Sequence, residues 1–168
     1  MCTSKFWKPG VHFNKPTANV RIEHVVARTR DACFCTGSED AAGTHNITVY
    51  DLSCRDSPKG ILLKDSVPKS NMSFSSIKLH NISGYWDGNP DPGEGLIIQA
   101  VDGIYFSDVV GTLVPTAGSL DHVSGATFAN ISISGGHGFE CKRNVSRVRA
   151  LGSVSPPMCD IERLHDSR

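Results

Sequence analysis

The sequence predicts an all-β chain wound as a right-handed parallel β-helix of about five coils. Three observations carry that expectation. A six-residue pattern recurs along the chain, a second apolar strand follows most of its copies, and no segment keeps a convincing helical period. The pattern is apolar, any, apolar, any, polar turn-former, apolar.

Residues 1–18 read as an irregular leader. They carry Lys5, Lys8 and Lys15 without an acid and lack the apolar stretch of a signal peptide. The coils occupy residues 19–141. Copies of the pattern begin at Val20, Ile47, Ile77, Ile104 and Ala126, spaced 27, 30, 27 and 22 residues apart. Alternation within each copy describes a strand with one buried face. The turn-forming position holds His24, Asp51, Asn81, Asp108 and Asn130. Asp and Asn tolerate the left-handed backbone of a corner.

The second strands start on a small residue, at Ala32, Gly60, Gly95 and Gly138, with only a weak equivalent near Leu113 in the fourth coil. This register puts Cys33 with Ile61, and Cys35 with Leu63, as small core residues. Residues 85–94 read as a loop inserted in the third coil, where solenoids build binding faces. An antiparallel sandwich is the competing architecture. It needs hairpin signals every 8–12 residues, and only Asp87-Gly88 and Asp102-Gly103 qualify. Residues 142–168 form a C-terminal tail.

Composition narrows the function classes. The 17 basic residues balance the 17 acidic ones, so no overall basic field speaks for nucleic acid or for a membrane surface. No apolar run is long enough to span a bilayer. Leu, Ile, Val and Phe make up about a quarter of the chain, above the fifth below which disorder is expected. The seven histidines show no ligand spacing, and Cys33 and Cys35 are too close for a zinc pair. Neither a metal nor a cofactor is expected. No phosphate-binding or dinucleotide fingerprint is present.

Cysteine and asparagine usage point to the secretory pathway. Six cysteines are present, and pairing of Cys33 or Cys35 with Cys54 stays open. Asn46, Asn71, Asn81, Asn130 and Asn144 each begin an Asn-x-Ser/Thr triplet. These are candidate glycan acceptors. The simpler alternative is that they are turn asparagines at strand starts.

Four passages resemble the plant-like polygalacturonases, glycoside hydrolase family 28. They are NVRIEHVVARTRDACFCTGSED, NITVYDLSC, VSGATFANISISG and FECKRNVSRVRALGSVSPPMC, within residues 19–160. The resemblance implies a parallel β-helix that hydrolyses pectin with inversion, secreted or in the cell wall. It also implies a monomer needing no cofactor, and a Cys141–Cys159 disulfide holding the tail to the last coil. Family enzymes are about twice as long, so this chain resembles their C-terminal half.

Inverting hydrolysis needs carboxyls roughly 6.5–9.5 Å apart. By the resemblance, the family's Gly-Asp-Asp falls on Thr29, Arg30 and Asp31, so Asp31 is the candidate catalytic residue. The family's Gly-His-Gly falls on Pro58, Lys59 and Gly60, and its Arg-Ile-Lys on Ile97, Ile98 and Gln99. The histidine and both cations are missing. Arg30, Lys59, Gln99 and the loop residue Trp86 remain as candidate sugar contacts. Asp31 beside Arg30 also reads as a salt-bridged corner residue. Gly136-His137-Gly138 matches the histidine motif by letters but reads as a corner about four coils from Asp31. The expected function is a polygalacturonase-like hydrolase impaired in this chain. The alternatives are a non-catalytic binder of acidic polysaccharide, or a structural solenoid.

Overall fold

In a computed structural model, residues 10–13, 15–37, 43–64, 68–86 and 89–158 are described. The described residues form an all-β parallel solenoid of about five turns, without helix. Each turn has a long strand that bends at a corner and a short strand that returns. The long strands are β2 (Ala18–Arg28), β4 (His45–Arg55) and β6 (Lys69–His80). The short ones are β3 (Ala32–Thr36) and β5 (Lys59–Leu63), with β1 (Val11–Phe13) beside β3. In later turns the two strands run together as β9 (Glu94–Thr112) and β10 (Thr116–Ile133). Then β11 (His137–Cys141) and β12 (Arg149–Ser155) pair in parallel with β10 and extend the stack to its C-terminal end. The strand β1 lies inside the expected leader, and β12 lies inside the expected tail.

The corners follow from backbone sterics. His24, Asp51, Ser76, Asp108 and Asn130 all have φ between 53° and 55°. Such a conformation costs a non-glycine residue roughly 1–2 kcal/mol, and short polar side chains recover part of it by bonding locally. Here they bond between turns. His24 Nδ1 contacts Asp51 Oδ2 at 2.9 Å, and Asn130 Nδ2 donates to Asp108 Oδ1 at 3.2 Å. A second left-handed series runs through Asn19, Asn46 and Asn71 to Gly103 and Gly125. In it Asn46 Nδ2 donates to Asn19 Oδ1 at 3.0 Å.

Register corrects the expected repeat in three places. Ile47 pairs with Met72, and Met72 with Ile104, so the third copy starts at Met72 rather than Ile77. The turn position of that copy is Ser76, not Asn81. Phe34, not Cys33, stands beside Ile61, which shifts the first short strand by one residue. The weak fourth short strand near Leu113 is instead residues 116–120, with Ala117 on the rung of Gly95 and Gly138. A Cβ on Gly95 would lie 2.8 Å from the Ala117 carbonyl oxygen, so successive backbones approach closely there.

The interior is one apolar column. Phe74, Phe106 and Phe128 share a rung position and stack, with centroids 4.9 and 5.5 Å apart. Phe34 meets Phe74 edge-on at 5.2 Å, and Phe139 leans on Phe128 at 5.6 Å. Each such pair adds about 0.5–1.5 kcal/mol beyond burial. The insertion in the third turn is a small antiparallel hairpin, β7 (Gly84–Trp86) with β8 (Asn89–Asp91). Asp87 and Gly88 lie outside the described residues.

Candidate functional site

The candidate residues fall at three separate places. Asp31 ends the corner before β3 and is buried, at 3% exposure. Its Oδ1 accepts the Ala32 backbone N–H at 2.8 Å, and its own N–H donates to Thr29 Oγ1 at 3.1 Å. The carboxylate thus caps the start of its own strand. Arg30 beside it is exposed. Lys59 starts β5, on the rung of Ala32, and is 7% exposed. Its ammonium lies 2.9 Å from Glu94 Oε2 on the next turn. An ammonium committed to a buried ion pair is not available as an open groove cation.

The outward face of the short strands is apolar and shut off from solvent. In β5, Ile61 and Leu63 join the main core, while Leu62 points the other way. Leu62 packs with Ala32, Cys35 and Ile97 in a separate buried cluster, each at most 7% exposed. Ser119 continues the row at 3% exposure, and only Glu140, on the fifth rung, opens to solvent. Ile97 is a position where the resemblance would put a groove cation.

Cys35 belongs to this outer cluster, not to the core column, because the register shift turns it outward. It is disulfide-bonded, as is Cys141. These two stand about four rungs apart, roughly 19 Å at 4.8 Å per rung, so each bonds elsewhere. Cys159 lies outside the described residues, as does Cys2. Pairing with Cys54 is excluded for Cys33 and Cys35, since Cys33 and Cys54 are free. Their thiols touch inside the core. The Cys54 S–H lowers the Cys33 pKa, and burial raises that of Cys54 well above its ordinary value.

Gln99 sits a strand length from Lys59, at the far end of the short-strand segment. There it lines a cavity of about 590 Å³ with Asp102, Asp121, His122, Ser124 and Arg143. Asp121 is held by Arg143 at 2.9 Å and by His122 at 2.9 Å. The Arg143 hydrogen bonds hold the Asp121 carboxyl below its ordinary range, against the opposing effect of burial. Asp102 accepts Ser124 Oγ at 2.9 Å and faces Arg147 at 3.3 Å. The acids here are matched by cations, so the cavity offers hydrogen bonds without a net field for an anion. Sequence reasoning found only Gln99 of this group. The others stand on different turns, and only the register joins them.

Trp86 lies in the β7 strand, and its side chain is outside what is described. His137 begins β11 on the rung series of Lys59, four rungs from Ala32. The preceding Gly136 packs its backbone against the Pro115 carbonyl, as a corner glycine does. The five triplet asparagines share one conformation. Asn46, Asn71, Asn81, Asn130 and Asn144 have φ of 50–54°. Asn81 Nδ2 also donates to Asp56 Oδ1, at 2.8 Å. The triplet pattern therefore has a structural source: a corner asparagine, an inward apolar residue, then an outward Ser or Thr. Among the described residues no group of three or more His, Cys, Asp or Glu could hold a metal ion. No protein family, curated protein or solved structure matches the chain.

Proposed function

We propose that this chain is a polygalacturonase-like protein of the glycoside hydrolase type in which hydrolysis is impaired, leaving a solenoid that holds acidic polysaccharide. The parallel solenoid supports the reading, because the resemblance implies that architecture. One observation carries the impairment. The face that should hold the reacting sugar is apolar and closed, with Leu62 and Ile97 buried in it. Asp31, the one retained carboxylate, is engaged by the Ala32 N–H. Inversion needs two carboxyls flanking a water, and the other carboxyls of this face do not supply the second: Glu94 is held by the Lys59 ammonium, and Glu140 stands four rungs from Cys35. The disulfide-bonded Cys35 and Cys141 support a secreted or cell-wall location, where such bonds persist. Glycosylation at the corner asparagines belongs to the same proposal.

A reducing-sugar assay on polygalacturonate tests it. The expected result is no release above background, with retention of the chain on the polymer. Turnover that Asp31→Asn abolishes would overturn the impairment.

A further inference from the structure

The register builds a cationic surface that no stretch of sequence contains. Beyond the corner at His24, Asp51 and Ser76, the long strands run on for four residues and alternate again. Val25 and Ala27, Leu52 and Cys54, and Ile77 and Leu79 point inward. The outward positions are Val26 and Arg28, Ser53 and Arg55, and Lys78 and His80. Arg28, Arg55 and His80 therefore form a row, one per rung, at about 4.8 Å spacing. Lys78 stands beside it in the neighbouring row. The rows continue through Val110 and Thr112 on β9 and place no acid at any outward position. Arg28 and Lys78 are open, with side chains 78% and 67% exposed.

Two corner acids bracket the patch. Asp56 pairs with Arg28 at 3.1 Å, and Asp51 with Lys78 at 3.6 Å. His80 bonds Thr112 Oγ1 through Nδ1 at 2.8 Å. Arg55, in the middle of the row, has no ion-pair partner among the described residues. Arg30 is exposed and two residues beyond Arg28, so it borders the same edge.

We propose that the row Arg28, Arg55 and His80, with Lys78 beside it, is where a linear polyuronate docks, laid along the solenoid axis across the first three turns. This rests on the acidic-polysaccharide reading above and gives it a location. Charge complementarity selects an anion: the described outward row of the short strands, Cys35, Leu62, Ile97 and Ser119, is buried and uncharged, Lys59 beside it is paired with Glu94, and the cavity at Gln99 is charge-balanced. The geometry selects a linear polymer. A polyuronate repeats one carboxylate per sugar, a spacing of the same order as the rung spacing, so successive carboxylates meet successive cations. Arginine is suited to this task, since its planar fork grips a carboxylate with two parallel hydrogen bonds.

The test is binding of the whole chain to polygalacturonate, by affinity electrophoresis or calorimetry, at low and high salt. Fully methyl-esterified pectin and a single-stranded oligonucleotide serve as parallel probes. The double variant Arg28→Gln/Arg55→Gln should bind polygalacturonate about tenfold more weakly, the sum of two exposed charge contacts. Arg149→Gln, on another outward row, should bind like the parent. Binding should fall with salt, and the esterified polymer should bind poorly. All these positions are exposed, so an unchanged melting temperature shows that folding is intact. If the parent binds and the double variant binds equally well, the row is overturned while the acidic-polysaccharide reading stands. If the parent binds no polygalacturonate, that reading falls, and the docking proposal with it. Equal binding of the oligonucleotide and polygalacturonate would overturn the uronate assignment.

Discussion

Two outward faces of the solenoid, that of the short strands and that of the long strands beyond the corner, share one kind of backbone and have opposite chemistry. On the short strands, Cys35, Leu62, Ile97 and Ser119 form a row that is buried rung after rung. On the long strands, the row Arg28, Arg55, His80 and Thr112 is open along its whole length. Both rows come from the same stacking rule, one residue per turn. A parallel solenoid amplifies whatever residue type recurs at one position of the repeat, so a face becomes apolar or cationic as a unit. The face expected to do chemistry is covered, and a face that carried no expectation holds a row of exposed cations.

Charge insertion gives the largest expected difference between the faces. Ile97→Lys buries an ammonium among Leu62, Cys35 and Ala32 and should cost about 3 kcal/mol in urea unfolding. Val110→Lys, on the open side at 51% exposure, should change stability by less than about 0.5 kcal/mol. Equal costs would erase the distinction between the two faces.

A smaller effect is expected from the ion pair at the margin of the closed face. Glu94→Gln removes the carboxylate from the buried Lys59 ammonium. Breaking a fully buried pair costs about 3–5 kcal/mol, and the partial exposure of Glu94 discounts this to roughly 1–2 kcal/mol. Chemical denaturation of the variant measures it, and Glu94→Gln with Lys59→Met should recover part of the loss.

The open face should yield the smallest effect, visible mainly in its pH dependence. His24, through its hydrogen bond, and then Lys78 hold the Asp51 carboxyl below its ordinary value. A carboxyl depressed in the folded state contributes stability above its unfolded pKa. That contribution is lost as pH falls through the folded value. Asp51→Asn should therefore lower stability slightly at neutral pH, leave it unchanged at low pH, and so flatten the acid limb of a stability-versus-pH curve. High salt should shrink the difference further. An unaltered acid limb would show that the corner ladder contributes nothing to stability.

Much of the fold is legible in the sequence. Alternating Val20 and Ile22, Ile47 and Val49, and Ile104 and Phe106 announce inward faces, and corner Asp and Asn announce the bends. The third turn shows where this reading fails. Ile77 and Leu79 followed by Asn81 imitate a strand start as well as Met72 and Phe74 followed by Ser76 do. Each long strand carries the alternation on both sides of its corner, so the local pattern has two solutions per turn. Neighbouring turns choose between them, because only one solution puts Phe74 against Phe106. The one-residue shift at Phe34 has the same origin. It moved Cys35 out of the core and into the closed outer cluster.

The candidate site was legible as residues but not as a place. Asp31, Lys59 and Gln99 could be picked out by motif, but their surroundings could not. Whether Lys59 is open depends on Glu94, 35 residues away. By itself the sequence determined strand periodicity, the left-handed corners and the parallel repeat, because these follow from sterics within a few residues. Only the tertiary structure decided which face is covered, which carboxylate meets which cation, and that Arg28, Arg55 and His80 share a row. Those outcomes depend on the register between turns 25 to 27 residues apart, and that register is set by packing of the whole column rather than by any one strand.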